Sequence, residues 1–327
     1  MKTVIITGAL GFIGSHTCKA FKRAGYYVIG IDRNVFVPGA TTYIDELIKD
    51  DFEVMASFCA INKQAEAIIH LGATSLVGPS MSNPGLYYNN NVAKTNSMLQ
   101  QLADAKWKGG IVFSSSAAIY GSDEYNKPWK EKDRKDPISP YGRSKLMGEQ
   151  IIKDHCDAHG FKAIALRYFN ACGCDPDNEL GNTKDDTHIV PRVVSSLITK
   201  QRLVINGDDF ETEDGTCVRD YLHVTDIANA HVKSVEMLST QEKPYRPFNL
   251  GTGKGYSNLE IIKEVEKISG VKVPYNFGPR REGDPALLIA NPNKFMKNSD
   301  WVPQYSDLTT IVKTTIDWMK KIDYTIE

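Results

Sequence analysis

Three glycines spaced Gly8-x-x-Gly11-x-x-Gly14 stand between the β-branched run 3–7 (TVIIT) and a helical pattern over 15–24. This junction narrows the fold more than any other stretch of the chain. Glycine permits a very tight turn, lets backbone approach a pyrophosphate and allows a helix to pack closely on a strand. A helix opening there offers unpaired N–H groups and its positive dipole end to phosphate. Three glycines can equally serve a structural turn, so the flanking pattern decides. Asp32 ends the next apolar run, 27–31, and lies 18 residues after Gly14. That is the place of a carboxylate that meets an adenosine ribose. Such a carboxylate repels a 2′-phosphate and so favours NAD over NADP. The adjacent Arg33 weakens that preference without reversing it.

Continuous apolar runs recur at 67–71, 110–114 and 163–167, separated by polar segments of helix length. Strands of this kind, apolar on both faces, belong to parallel sheets covered by helices. The fold class expected is therefore α/β, a Rossmann-type doubly wound parallel sheet. Beyond Ala171 the pattern is irregular: 175–186 is rich in Asp, Asn and Gly, as a loop is. A helix is predicted over 189–200 with Pro191 in its first turn, a strand followed by a helix over 218–230, and a short strand over 247–251. A smaller, discontinuous C-terminal domain follows, which 327 residues allow.

Several function classes drop out. Lys plus Arg number 39 and Asp plus Glu 40, so the electrostatic drive for nucleic-acid binding is missing. No apolar stretch reaches the roughly 18–20 residues of a membrane span. The opening MKTVIITGALGFIGSH has a lysine and an apolar run, but its spaced glycines and lack of a small-residue cleavage site argue against a signal peptide. A cytoplasmic chain is expected. Cysteines 18, 59, 156, 172, 174 and 217 include no C-x-x-C pair and are expected as free thiols. Neither Cys172 with Cys174 nor the acidic pairs Asp185-Asp186 and Asp208-Asp209 complete a metal-ligand spacing, so no metal is expected. His70 and His223 have apolar neighbours and read as packed structural residues.

Tyr141-Gly142-Arg143-Ser144-Lys145 sets a tyrosine and a lysine at i and i+4, on one face if the segment is helical. Ser114-Ser115-Ser116 follows an apolar strand at its carboxyl end, the edge where ligands sit in open α/β sheets. Glycine turn, serines and Tyr-x-x-x-Lys together are far more specific than their parts. With them the chain resembles the extended short-chain dehydrogenase/reductase superfamily. Further blocks make it similar to the UDP-glucose (UDP-galactose) 4-epimerases: Tyr87-Tyr88-Asn89-Asn90-Asn91-Val92, 113–116 (FSSS) with Tyr120-Gly121, Arg167-Tyr168-Phe169-Asn170, 212–224 (TEDGTCVRDYLHV) and 279–284 (PRREGD). The likeness runs nearly end to end, except over 33–65, which is shortened and divergent.

The resemblance implies a redox cycle without net oxidation. Tyr141 takes the sugar 4-OH proton as hydride leaves C4 for NAD, the 4-keto sugar turns over, and hydride returns to its other face. A phenol of pKa about 10 must shift toward 7 to serve as a base, about 4 kcal/mol. One cation supplies about 1–3 units, so Lys145 together with the positive nicotinamide is expected to provide the shift. Ser116 hydrogen-bonds the reacting oxygen. By the same resemblance NAD is held by Gly8, Gly11, Phe12, Ile13, Gly14, Asp32, Asp51, Phe52, Leu71, Asn91, Ser114, Tyr141, Lys145 and Tyr168. A sugar that turns over must be anchored by its nucleotide, and the implied substrate residues are Ser116, Tyr141, Asn170, His188, Arg219, Arg281, Asp284 and Leu288. Guanidinium forks suit the diphosphate. Residues 1–168 and 221–252 form the implied NAD-binding domain, 169–220 and 253–327 the nucleotide-sugar domain, and the family is usually a homodimer.

Some positions depart from the family. Ser75 stands where a lysine reaches the cofactor, and Asn206 replaces an aromatic near the uracil. Leu288 stands where a bulky Tyr accompanies glucose/galactose selectivity and a small residue accompanies N-acetylated sugars; leucine is intermediate. The nearest alternative is another nucleotide-sugar reaction on this scaffold, 4,6-dehydration or decarboxylation; dehydratases carry an Asp-Glu pair beside the serine position, whereas Ser-Ser-Ser-Ala-Ala offers no carboxylate here. A non-catalytic NAD-sensing protein has no need of the tyrosine, lysine and serine together.

Overall fold

β-branched and small apolar residues build β1 (Thr3–Thr7), β2 (Tyr27–Ile31), β3 (Glu46–Ile48), β4 (Ala67–His70), β5 (Gly110–Ser116) and β6 (Lys162–Tyr168). The computed structural model describes residues 1–34, 39–121, 127–182, 188–281 and 284–322. With the strand Tyr245–Leu250 these six form one sheet, ordered β3-β2-β1-β4-β5-β6 and then Tyr245–Leu250. Every neighbouring pair is parallel. The order reverses between β1 and β4, which opens a crevice beyond their carboxyl ends.

Successive strand residues point to opposite faces, so continuous apolar runs serve two cores. Val4, Ile6, Val28, Ile69, Val112 and Ile164 pack on one side, under the helices Phe12–Arg23 and Val224–Thr240. Ile5, Ile29, Ile68, Ile111 and Ala163 pack on the other, under Phe52–Asn62, Lys94–Asp104 and Pro140–His159. A third core joins the helices Ile189–Thr199, Asn258–Ser269 and Leu308–Ile322 through Val193, Ile261, Val265 and Ile316. Two small strand groups link it to the sheet: Asn170–Cys172 lies parallel to Tyr221–His223, and Val218–Arg219 lies between Tyr256–Ser257 and Leu287–Leu288.

The expected boundaries shift in instructive places. The first helix begins at Phe12, not Ser15, because the last glycine of the turn already lies inside it. β5 runs on through Ser116, so the three serines belong to the strand rather than follow it. The strand–helix unit after 218 continues to Thr240, and the strand expected over 247–251 begins at Tyr245. All six cysteines are buried and none is joined in a disulfide. Among the described residues no helix is long and apolar enough to cross a membrane. Asp185-Asp186 and Glu282-Gly283 lie outside the described residues.

Four histidines are packed inside as neutral imidazoles. His70 shares hydrogen bonds with Thr7 Oγ1 at 2.8 Å and Thr95 Oγ1 at 3.0 Å. His223 Nδ1 accepts from Thr225 N–H at 3.1 Å and caps the helix that follows. His231 Nδ1 donates to the Ile227 carbonyl at 2.9 Å, leaving Nε2 to accept from the Tyr168 hydroxyl. His16 Nδ1 donates to the Phe12 carbonyl at 2.8 Å. Burial pushes His70 and His223 down to about 3, and His16 and His231 to about 4.

The unfolded chain therefore binds protons that the native state refuses once the pH drops below about 6.5. Stability falls from there down to the folded values, by about 2 kcal/mol per imidazole at pH 5 as an upper bound. The urea unfolding midpoint is expected to drop clearly between pH 7.5 and pH 5.0. An unchanged midpoint would mean that these imidazoles are not held neutral.

Candidate active site

The glycine turn is closed by backbone. Gly8 N–H donates to the Ile31 carbonyl at 2.8 Å, and Gly11 N–H to the Gly8 carbonyl at 3.1 Å. Gly8 has φ of +69°, and a Cβ there would lie 2.9 Å from Gly72 N, against the Leu71–Gly72 peptide. A Cβ on Gly14 would lie 2.0 Å from the Gly8 carbonyl oxygen. The helix then starts at Phe12 and Ile13 with no side-chain cap, which leaves its first N–H groups and dipole facing the crevice. Asp32 is fixed beside them, its carboxylate accepting from Leu10 N–H at 2.9 Å and Asn34 N–H at 3.0 Å. Side-chain-free backbone, an uncapped helix start and an oriented carboxylate fit a dinucleotide.

Arg33 is drawn toward Asp51, at 3.8 Å, rather than being left to face the ribose position. Asp51 also pairs with Lys94 and caps its helix through Glu53 N–H at 3.1 Å. Burial opposes ionisation of Asp51, but these partners hold its carboxyl below the usual range. Phe52 packs edge-on against His70, with ring centroids 4.7 Å apart. Phe52 thus packs on the end of β4, with Asp51 next to it in the chain.

Ser139 caps the next key helix by accepting from Gly142 N–H at 3.1 Å, with Pro140 in the first turn. Tyr141 and Lys145 then share one face, against the end of β5. Lys145 Nζ donates to the Ser114 carbonyl at 2.7 Å and lies 5.9 Å from the Tyr141 ring centroid. Ser116 Oγ accepts from Ala118 N–H at 3.2 Å, and its hydroxyl favours the Tyr141 phenolate. Asn91 holds the loop after β4 through Thr74, accepting from its N–H at 2.8 Å and donating to its carbonyl at 3.0 Å; it also donates to Ser144 Oγ at 3.0 Å. Its amide thus ties that loop to the Tyr141 helix, while the buried neighbour Asn90 keeps an unpartnered Oδ1. Ser75 contributes its carbonyl, which accepts from the Tyr87 hydroxyl at 2.8 Å. Tyr168 turns its hydroxyl to His231 and lies within the field of Ser114 and Tyr141.

The chain's own groups set the starting point for the shift expected from Lys145 together with the nicotinamide: burial pushes Tyr141 up, against the pull of the Ser116 hydroxyl. Burial likewise pushes Lys145 down to about 7. Lys145 is buried and Tyr141 half-buried, so in the chain alone the phenol stays protonated while the ammonium is brought to the edge of deprotonation.

The substrate candidates gather on the far wall. Arg219 Nη2 donates to Asp284 Oδ1 at 2.7 Å, and Nη1 to the Val218 carbonyl at 2.8 Å. Asn170 is fixed through its N–H on the Asp220 carbonyl at 2.9 Å, while its side-chain Nδ2 is buried without a partner. An orphaned amide donor at a strand end is what an incoming oxygen ligand satisfies. With the Asn206 amide assigned so that its oxygen faces the guanidinium, Arg281 donates to it from Nε at 2.8 Å and Nη2 at 3.1 Å. Asn206 therefore orients an arginine instead of packing on a ring. Leu288 packs against Ala117, Ile119 and Phe169 beside the β5 end. His188 stands exposed at the N-cap of the Ile189–Thr199 helix.

Two supports went unread in the sequence. Glu149, one further turn along the Tyr141–Lys145 face, is buried against Arg167 and Ser115. Lys19 is buried with Nζ 2.6 Å from Asp175, 2.9 Å from Asp177 and 2.7 Å from Glu179. A lone Glu and a lone Lys carry no local pattern; the i+4 spacing after Lys145 was the only available signal.

Comparison with known proteins agrees with this geometry. Residues 4–251 match the model of the "NAD dependent epimerase/dehydratase family". The UDP-glucose 4-epimerase of Halalkalibacterium halodurans is 38% identical over 324 residues, covering 97% of this chain and 96% of that protein. The structure of the Brucella ovis UDP-glucose 4-epimerase in complex with NAD superposes with a TM-score of 0.90 at 37% identity, covering 97% of this chain and 98% of that one. The Bifidobacterium longum UDP-glucose 4-epimerase in complex with NAD+ and UDP gives 0.89 at 32% identity, covering 98% of each chain. With its glycine turn, Tyr141–Lys145 helix and strand-end serines in place, the chain belongs to the NAD-dependent epimerase/dehydratase family.

Proposed function

We propose that this chain interconverts UDP-glucose and UDP-galactose by epimerisation at C4, with NAD held along the glycine turn. The observation that carries this is the convergence of Tyr141, Lys145 and Ser116 at one sheet edge, beside the crevice lined by Gly8, Gly14 and Asp32. The chemistry NAD supplies when bound is reversible acceptance of hydride from a sugar carbon. Tyr141 takes the 4-hydroxyl proton and later returns it to the same oxygen. Ser116 donates a hydrogen bond to that oxygen, and Lys145 fixes the neighbouring ribose. Arg219, Arg281 and the unpartnered Asn170 amide anchor the nucleotide diphosphate, leaving the sugar ring free to present either face. Asp284 serves the ribose of the uridine and His188 the outer edge of the same site. Dehydration needs a second carboxylate pair at C5 and C6, which the run 116–118 (SAA) lacks.

The working division is 1–168 with 221–252 for NAD, and 169–220 with 253–327 for the nucleotide sugar. We read the protein as a cytoplasmic homodimer; the compartment fits six buried cysteines without a disulfide. The dimer fits the exposed apolar side chains of Met147 on the Tyr141 helix, and of Met81 and Leu86 on the short helices packed against it. Leu288, of intermediate size, admits some N-acetylated sugar.

Proton NMR of purified protein with UDP-galactose and no added cofactor should show UDP-glucose forming. No conversion even with added NAD would remove the proposal. Tyr141→Phe should cut turnover by about 10²–10⁴-fold while retaining NAD; near-full activity would displace Tyr141 as the base. Gly14→Ala drives a methyl into the Gly8 carbonyl and should release NAD on gel filtration, read by absorbance of the denatured supernatant. Leu288→Ser should raise the rate ratio of UDP-N-acetylgalactosamine to UDP-galactose, and a falling ratio would separate Leu288 from sugar choice.

A further inference from the structure

The arginines of the far wall divide by what holds them. Arg280 is neutralised by Asp209, and Arg219 by Asp284. Arg281 is held by a neutral group, the Asn206 amide oxygen. Arg192, in the first turns of the Ile189–Thr199 helix, is held in the same way: Nη2 donates to the Val204 carbonyl at 3.4 Å. Val204 and Asn206 are two residues apart on the strand Leu203–Asn206, so their anchors lie close together along one strand. Arg192 is half-buried and within the field of Arg281; burial and then that neighbouring charge push its guanidinium down. Among the described residues neither guanidinium has an acidic partner. The first turn of the helix carrying Arg192 also lacks an acidic residue.

Two guanidiniums within each other's field repel. Neutral acceptors orient them without cancelling their charge, so an anion arriving between them relieves the repulsion and finds its donors already aimed. We propose that Arg192 is a further substrate-binding residue, acting with Arg281 as a guanidinium pair that takes the diphosphate of the nucleotide sugar. This rests on the nucleotide-sugar reading above. Asn206 has a matching role: where an aromatic ring would pack on a base, an amide sets the second arginine of the pair.

The test compares Arg192→Gln, Arg192→Lys and Arg281→Gln in the NAD-loaded protein, with NAD content and thermal midpoint recorded. The readouts are KM for UDP-galactose and inhibition constants for UDP and UMP at low and high salt. One charge-assisted contact corresponds to about tenfold in affinity. Arg192→Gln should raise KM and the UDP constant about tenfold, weaken UMP less, and flatten the salt dependence, with the effect on KM rather than kcat. Arg192→Lys should recover part of the loss. If Arg281→Gln weakens UDP and Arg192→Gln does not, Arg192 has no part in the diphosphate site while the substrate reading stands. If UDP and UMP weaken equally, or the salt dependence is unchanged, the contact is not to the diphosphate and the proposal fails. If neither variant moves UDP, the placement of the diphosphate on this wall fails as well.

Discussion

A single buried carboxylate, Glu149, fixes the geometry on which the active site depends. It accepts from Arg167 Nε at 2.8 Å and Nη2 at 2.6 Å, from the Ser115 hydroxyl, and from the Tyr245 hydroxyl at 2.9 Å. Those partners belong to β6, β5 and the strand Tyr245–Leu250, so one side chain of the Pro140–His159 helix is bonded to three neighbouring strands. Tyr141, Lys145 and Glu149 follow each other at i, i+4 and i+8. Locking the last therefore sets how far along β5 the first two reach. A buried pair of this kind adds little net stability compared with an apolar replacement, yet removing one partner costs about 3–5 kcal/mol. Its value is in register: Ser115 is bonded to the helix that carries Tyr141 and Lys145, while Ser114 and Ser116, on the opposite strand face, meet those two residues.

A second buried charge holds the two walls of the site together. Lys19 projects from the Phe12–Arg23 helix, whose N-terminus faces the crevice, into the carboxylates of Asp175, Asp177 and Glu179. Those carboxylates follow directly after the strand Asn170–Cys172, whose first residue offers the orphaned amide. The helix that opens on the crevice and the segment following Asn170–Cys172 are thus linked by one ammonium. The walls use different physics. The glycine side relies on backbone N–H groups and a helix dipole, which need an absence of side chains. The arginine side relies on long charged side chains steadied by neutral or acidic acceptors.

The sheet was legible because its strands are apolar on both faces, a pattern that depends on neighbouring residues alone. β3 escaped notice: Glu46-Leu47-Ile48 is three residues long, edge-placed and only half covered, so it carries neither the length nor the hydrophobicity of its neighbours. Tyr141, Lys145, Ser116 and the glycines were legible as spacings. The settings of Arg192, Glu149 and Lys19 were not, because each is held by partners 12 to 160 residues away in the chain. Asn206 shows the limit most plainly. As a sequence position it is a missing aromatic; in the fold it is a hydrogen-bond acceptor for Arg281.

In the role proposed for it, Tyr141 is a base that is not basic at rest, and its pairing with Lys145 gives the reason. In water a phenol and a primary amine have nearly equal proton affinities, about 10 and 10.4. Burial separates them, raising the phenol, which stays neutral, and lowering the lysine to about 7, where it is poised between its two forms. The low dielectric that penalises the phenolate also magnifies the effect of any charge brought beside it. A pocket open to water would leave the phenol near its ordinary value and almost indifferent to its neighbours. Here a positive charge entering the crevice stabilises the phenolate strongly, and the Ser116 hydroxyl is already placed to share the load. Burial thus exchanges standing basicity for basicity that arrives with the ligands, which confines proton transfer to the assembled complex.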